Sequence, residues 1–351
     1  MLLSKKKYID HFLKMELCYP SLVILQDKIS DFFINHNLNT TAFPNHASDL
    51  MWPSTEVIDI ILFGDALHAL SGSKTWPRSA KYRIWLLCHD MKKIIHEIYN
   101  IPLECLGVIP RYSIFPASRT PNTLNLFHEK DVYFVMSSNY ALGKNIELTL
   151  GIIHQLQIHY TDKNIHLTIC GPKPDTYLVE DEINKFQWVI PPVVKGDLGM
   201  DWHKEVSPKS IMINFSTNLF EDFGISLCQA QEAGFPLIIS NWGAHHDLQG
   251  NNIIKVPTNV HGLHISDSIN IKKRIKDTTQ YLISRLDTKH SDKTQFPIDS
   301  FNIPNEIHIN ELIELSTVFI NNHLAQTMEL HQASLYNPNN SIARVINRFF
   351  E

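Results

Sequence analysis

The sequence is poor in cysteine, and its few cysteines are not arranged as a staple or a metal site. Cys18, Cys88, Cys105, Cys170 and Cys228 are odd in number, widely spaced and without a CxxC pair. That excludes a disulfide framework and a zinc-ligand pattern. Several lie inside apolar runs, as buried reduced thiols do. No run of about 18 apolar residues occurs, so no transmembrane helix is expected. The opening stretch MLLSKKKYIDHF has a basic cluster but no apolar segment behind it long enough for a signal peptide. A cytoplasmic protein is expected. Basic charge is also short. The net charge of −5 argues against a nucleic-acid binder with a broad basic face, yet leaves room for a local basic pocket for a phosphorylated ligand. Short-period repeats and low-complexity segments are absent.

What is present is an ordinary globular balance, 44% hydrophobic and 19% charged, over 351 residues, a length comfortable for two domains. Strand and helix patterns alternate. In the first part, Ser21 to Asn37 carries a helical stripe, and Leu38 to Phe43, Val57 to Phe63, Arg83 to Cys88 and Leu106 to Pro110 read as strands. Asp90 to Tyr99 reads as a helix with Asp90 as its cap. Ser113 to Asp131 is polar and holds Pro116 and Pro121, the composition of an interdomain linker. A second series follows: strands at Val132–Met136, Ile165–Cys170, Trp188–Ile190, Ile211–Phe215, Leu237–Ser240 and Ile253–Val256. Helices are expected at Asn145–Tyr160, Ile225–Ala233 and Asp267–Leu286, then at Ile307–Leu335 and Ser341–Phe350. This is the doubly wound α/β pattern, in which ligands bind beyond the carboxyl ends of the strands.

The most informative stretch is IMINFSTNLFEDFGISLCQAQEAGFPLIISNWG, residues 211–243. A buried strand ends in a polar turn, and the acidic pair Glu221-Asp222 precedes Phe223-Gly224 and a helix start. Gly234 stops that helix, and Pro236 opens the next strand. The stretch resembles the donor-site signature of the family-4 retaining glycosyltransferases, which have the GT-B fold. Their pattern is a Ser near the strand end, Glu-x-Phe-Gly, a second Glu eight residues after the first, and a helix ending in Gly-x-Pro. Ser216, Glu221, Phe223, Gly224, Gly234 and Pro236 match, while Gln229 stands at the second Glu. The segment HDMKKIIHEIYNIPLECLGVIPR is similar to the family's last N-domain helix and following strand. The N-domain is then short and lacks the family's opening Gly-rich loop. The resemblance covers most of 130–260, and 85–115 loosely.

A carboxylate at a strand end can accept hydrogen bonds from sugar hydroxyls. The N–H groups of Phe223, Gly224 and Ile225, at a helix start, would face a phosphate. Glu221 alone has an ordinary alternative, the roughly 0.3–1 kcal/mol an acid contributes in any first helical turn. The resemblance implies that Glu221 holds the donor sugar and that Gln229, an amide without charge assistance, stands where a Glu holds the ribose. Glu232 lies a turn further on as a possible substitute. Lys144, before Asn145, matches the family's Lys for the donor diphosphate, and Ser138 falls on the position of its Arg. A lysine at a helix N-terminus gains nothing from the dipole, so an anionic partner would explain it. Gly171 matches the glycine that lets the backbone approach the nucleotide, with Lys173 adding charge. His89 is a weak candidate for the acceptor side. His245-His246-Asp247 suggests a metal only superficially, because adjacent histidines project apart; a loop at the acceptor or donor edge is the expectation.

The expectation is therefore a two-domain GT-B protein: an acceptor-side domain over 1–125, a nucleotide-sugar domain over 126–300, and C-terminal helices over 301–351 that pack back. Its implied reaction moves a sugar from a UDP- or GDP-linked donor to a hydroxyl of a carbohydrate, glycolipid or protein. Retention of configuration is implied, with no metal and no further cofactor. The rival is a GT-B-shaped binding or scaffold subunit that pairs with an active enzyme; the departures at Ser138 and Gln229 support it. An epimerase of the same fold is a third possibility, without an acid/base constellation to support it.

Overall fold

The computed structural model describes residues 20–38, 41–42, 56–62, 70, 76–118, 120–138, 140, 144–171, 179–217, 221, 223–250, 252–257, 268–288 and 302–315. Lys173 and the expected helix at 341–350 lie outside them. Within them the chain forms two α/β units, each built on a parallel sheet. The first unit has α1 (Pro20–Asn35), β1 (Thr41–Ala42), β2 (Val57–Ile61), β3 (Lys81–Leu86), α2 (His89–Tyr99) and β4 (Leu106–Val108). β1, β2 and β3 lie side by side in parallel, and β4 extends the sheet beyond β3. The strands are continuous apolar runs because both faces are covered. Lys81 and Arg83 on β3 keep some exposure, while Asp59 on β2 is fully buried. It accepts from Arg83 Nη2 at 2.6 Å and from Trp85 Nε1 at 2.7 Å.

The second unit has β5 (Asp131–Ser137), α3 (Ile146–His159), β6 (Asn164–Cys170), β7 (Val193–Gly196) and β8 (Ser210–Asn214). It continues with α4 (Ile225–Glu232), β9 (Leu237–Ser240), β10 (Ile253–Val256) and α5 (Ser268–Asp287). Its six strands are all parallel in the order β10-β9-β8-β5-β6-β7. The order reverses between β5 and β8, and that switch point is where open α/β sheets bind ligands. The loops after these two strands carry Lys144 and Glu221.

Three expectations are corrected. Residues 188–190 form no strand, because the Gln157 side chain takes their backbone groups. Its Nε2 donates to Ile190 O at 2.7 Å and its Oε1 accepts from Val189 N–H at 3.2 Å. Pro191 and Pro192 cannot donate to a ladder, so pairing begins at Val193. The helix expected from Ile307 begins instead as a strand. β11 (Ile307–His308) pairs antiparallel with β3, and only 309–315 turn helical among the described residues. Asp90 does not cap α2. Cys88 is the N-cap, and its Sγ accepts from Met91 N–H at 3.4 Å.

The two units share apolar core. Trp242 and Ala244, from the turn after β9, are buried among the side chains of the first sheet. Phe223 and Cys228 join Leu25, Phe33, Trp85 and Ile109 of the first unit. In the stretch expected as a linker, Ile114 and Phe115 pack in the core with the first unit, and Ser118 and Asn122 are bonded to the second. Ser118 N–H donates to Gln231 O at 2.9 Å and Asn122 N–H to Gly234 O at 2.8 Å. The four described cysteines, Cys88, Cys105, Cys170 and Cys228, are buried and free.

Candidate functional site

β8 is buried along its whole length, and the chain leaving it is pinned atom by atom. Asn214 Oδ1 accepts from Ser216 N–H at 2.9 Å. Asn145, left-handed at φ 51° just before α3, turns its side chain away from its own helix. Its Nδ2 donates to Phe215 O and to Thr217 Oγ1, both at 2.8 Å. The loop after β5 is thereby tied to the loop after β8, and Lys144 is delivered to Glu221. Lys144 Nζ donates to Glu221 Oε2 in a largely buried ion pair.

Glu221 is 8% exposed. Burial pushes its carboxyl up, but the Lys144 charge, the His245 ring and the hydrogen bonds from Lys144 and Ser216 outweigh it and hold the group at about 2. The Glu221 backbone is clamped as well, since its carbonyl accepts from Ala244 N–H at 2.7 Å. Gly243, at φ 53°, makes room for that carbonyl. A Cβ at 243 would lie 2.4 Å from Glu221 O.

Sequence reasoning did not single out His245 as a partner of Glu221. The ring is wholly buried, its Nδ1 is 2.8 Å from Ser240 Oγ, and its Nε2 is 3.9 Å from Glu221 Oε1. Burial pushes its pKa down to about 4 despite the pull of Glu221, so it is neutral at pH 7. Lys144 is thus the largest single influence that keeps Glu221 ionised. His246 turns to the other side and meets Asp90 at 3.1 Å.

Arg111 was missed too. It is buried, its guanidinium lies over the Phe223 ring at 4.7 Å, and its Nη1 donates to Phe223 O. Nη1 also reaches Cys228 Sγ at 3.3 Å. No motif spacing would have found it, because its partners lie more than a hundred residues away.

The remaining expected residues are distributed around this pair. Phe223 is a buried anchor, 5.6 Å from Phe115 ring to ring, and Ile225 packs beside it. Gly224 is left-handed at φ 68° and starts α4. Ser138 and Gly171 meet at the ends of β5 and β6, and the close approach that Gly171 permits is that of the Ser138 carbonyl. Gln229 is buried, and its Oε1 accepts from Trp202 Nε1 at 3.0 Å. Glu232 is exposed. His89 lies at the start of α2, its backbone N–H 2.8 Å and its ring 3.2 Å from Asp247 Oδ2 of the second unit.

No protein-family model and no curated protein sequence matches the chain. Solved structures are similar to it at low identity. One is the pneumococcal O-GlcNAc transferase GtfA in complex with UDP and GlcNAc. It is 12% identical with a TM-score of 0.44, over 82% of this chain and 57% of that one. A second is the lipopolysaccharide outer core galactosyltransferase WaaB, 13% identical with a TM-score of 0.43, over 77% and 69%. A third is a glycosyltransferase from Rickettsia africae, 12% identical with a TM-score of 0.42, over 86% and 81%. The chain spans little more than half the length of the first.

Proposed function

We propose that the chain is a GT-B glycosyltransferase that moves a sugar from a nucleotide diphosphate sugar to a hydroxyl acceptor with retention of configuration. The observation that carries the reading is the largely buried Lys144–Glu221 pair at the strand-order switch point, beside the start of α4. A buried ion pair is costly and contributes little to stability for its own sake. It makes chemical sense where a ligand needs both signs. Glu221 accepts from sugar hydroxyls, and Lys144 with the first turn of α4 neutralises the departing diphosphate.

In the reaction the bond from the anomeric carbon to the diphosphate breaks, and the acceptor oxygen bonds to that carbon on the same face. The acceptor's proton passes to the leaving diphosphate. The protein's share is orientation and stabilisation of the leaving charge. The test is a panel of UDP- and GDP-hexoses with and without simple glycoside acceptors, with the anomeric configuration of the product read by NMR. An α-linked product from an α-linked donor supports the reading, and an inverted product contradicts it. The engagement of Gln229 by Trp202 favours the second reading, a binding subunit without turnover. Donor binding with neither hydrolysis nor transfer would select it.

A further inference from the structure

We propose that His245 is a second hydrogen-bond acceptor for the donor sugar, and that Glu221 and His245 together select a sugar with two adjacent free hydroxyls. This rests on the proposed function and deepens it.

Ser240 fixes where the ring proton of His245 sits. Its hydroxyl oxygen lies 2.5 Å from Ser216 O and 2.8 Å from His245 Nδ1. A hydroxyl has one hydrogen and a carbonyl has none, so the hydrogen between Ser240 and Ser216 belongs to Ser240. The hydrogen between Ser240 and His245 is then the ring's own, on Nδ1. The ring is neutral, so Nε2 carries a bare lone pair.

That lone pair is buried and has no hydrogen-bond partner among the described residues. The group it faces is Glu221 Oε1 at 3.9 Å, which is also an acceptor. Lys144 is bonded to Oε2, so the oxygen turned towards His245 is the other one. His245 Nε2 is therefore a buried acceptor that faces a second acceptor, with no proton between them. Buried polar groups are nearly always paired, and leaving one unpaired costs about 1–3 kcal/mol. The missing element is a donor for Nε2, and the carboxylate beside it, already bonded to Lys144 and Ser216, has lone pairs left for a second one. Adjacent hydroxyls of a sugar ring offer two such hydrogens side by side. Gly224, at the start of α4, borders the same space, since a Cβ there would lie 3.6 Å from His245 Cδ2.

The experiment measures Kd by calorimetry for UDP, GDP, their hexose conjugates, and the monodeoxy analogues of the hexose conjugate that binds best. Wild type is compared with His245→Phe. In wild type, deoxygenation at two neighbouring ring positions weakens binding by about tenfold each. In His245→Phe one of those two losses disappears, while the affinity for the plain nucleoside diphosphate is unchanged. Sensitivity at a single position, at non-adjacent positions, or equal losses in both proteins would overturn the inference. Should the variant fail to fold, the wild-type series decides alone. If nucleotides bind but no sugar ring adds affinity, the His245 inference falls and the nucleotide site stands. If neither nucleotides nor conjugates bind, both readings fall.

Discussion

At the residue scale, three side chains, Lys144, Glu221 and His245, cannot be changed independently. Lys144→Met leaves the Glu221 carboxylate buried without its cation, which costs about 3–5 kcal/mol. Replacing both, Lys144→Met with Glu221→Gln, should recover most of that loss. Urea midpoints of the two variants check it, and equal losses would show that the pair is not coupled. The pH dependence has a defined sign. His245 is held below its ordinary pKa of 6.5, so its contribution is complete above pH 6.5 and is lost as pH falls through about 4. Glu221 is held below 4.5, so its contribution is lost at lower pH, as pH falls from 4.5 through about 2. His245→Phe should therefore be less sensitive than wild type between pH 6.5 and 4, as read from urea midpoints at three pH values. A parallel decline would place the sensitivity elsewhere.

At the element scale the turns matter more than the strands. Gly243→Ala puts a Cβ against the Glu221 carbonyl in a left-handed residue, while Gly196→Ala, also left-handed at φ 71°, meets nothing within 4 Å. The second change should cost only the backbone penalty, about 1 kcal/mol, and the first clearly more. Thermal unfolding of the pair separates them; equal shifts would mean that the 243 turn does not clamp Glu221. This scale also shows what the sequence made legible. The buried parallel strands are continuous apolar runs, so β5, β6, β8, β9 and β10 could be read directly. The placement of Lys144 and Glu221 in loops after strands could be read, but their ion pair could not, because it depends on the tie that Asn145 makes between the two loops. β7 could not, because the side chain of Gln157, far away in sequence, displaces its expected start. β11 is two residues of an antiparallel edge, too short for any period. His245 and Arg111 carry no spacing signal, because their importance comes from burial and from partners on other elements.

At the scale of the whole molecule, Glu221 is held by Phe223, two residues on, and by the 242–244 turn bonded to its carbonyl, and the side chains of both are buried in the cores shared with the first unit. The geometry of the candidate site therefore depends on the contact between the units. Trp242→Ala removes the largest side chain that the second unit places in the first unit's core, a loss of about 3–5 kcal/mol for such a truncation. It should split a single calorimetric unfolding transition into two and lower affinity for the nucleotide sugar. A single, merely shifted transition would show that the units are not held together through this residue. Among the described residues no helix is long and apolar enough to cross a membrane.

The central claim is that Lys144 and Glu221 form a nucleotide-sugar site, and its most direct test is equilibrium binding. Thermal shift of wild type, Lys144→Met and Glu221→Gln is measured against UDP, GDP and their hexose conjugates. Ligand at about one hundred times its Kd stabilises a one-site protein by about 2.7 kcal/mol. The account predicts a shift with one nucleotide family in wild type. Lys144→Met should lose the shift with the plain diphosphate and with the conjugate alike. Glu221→Gln should keep the diphosphate shift and lose the increment from the sugar. A wild-type shift that both variants retain in full, or no shift with any ligand, would contradict it.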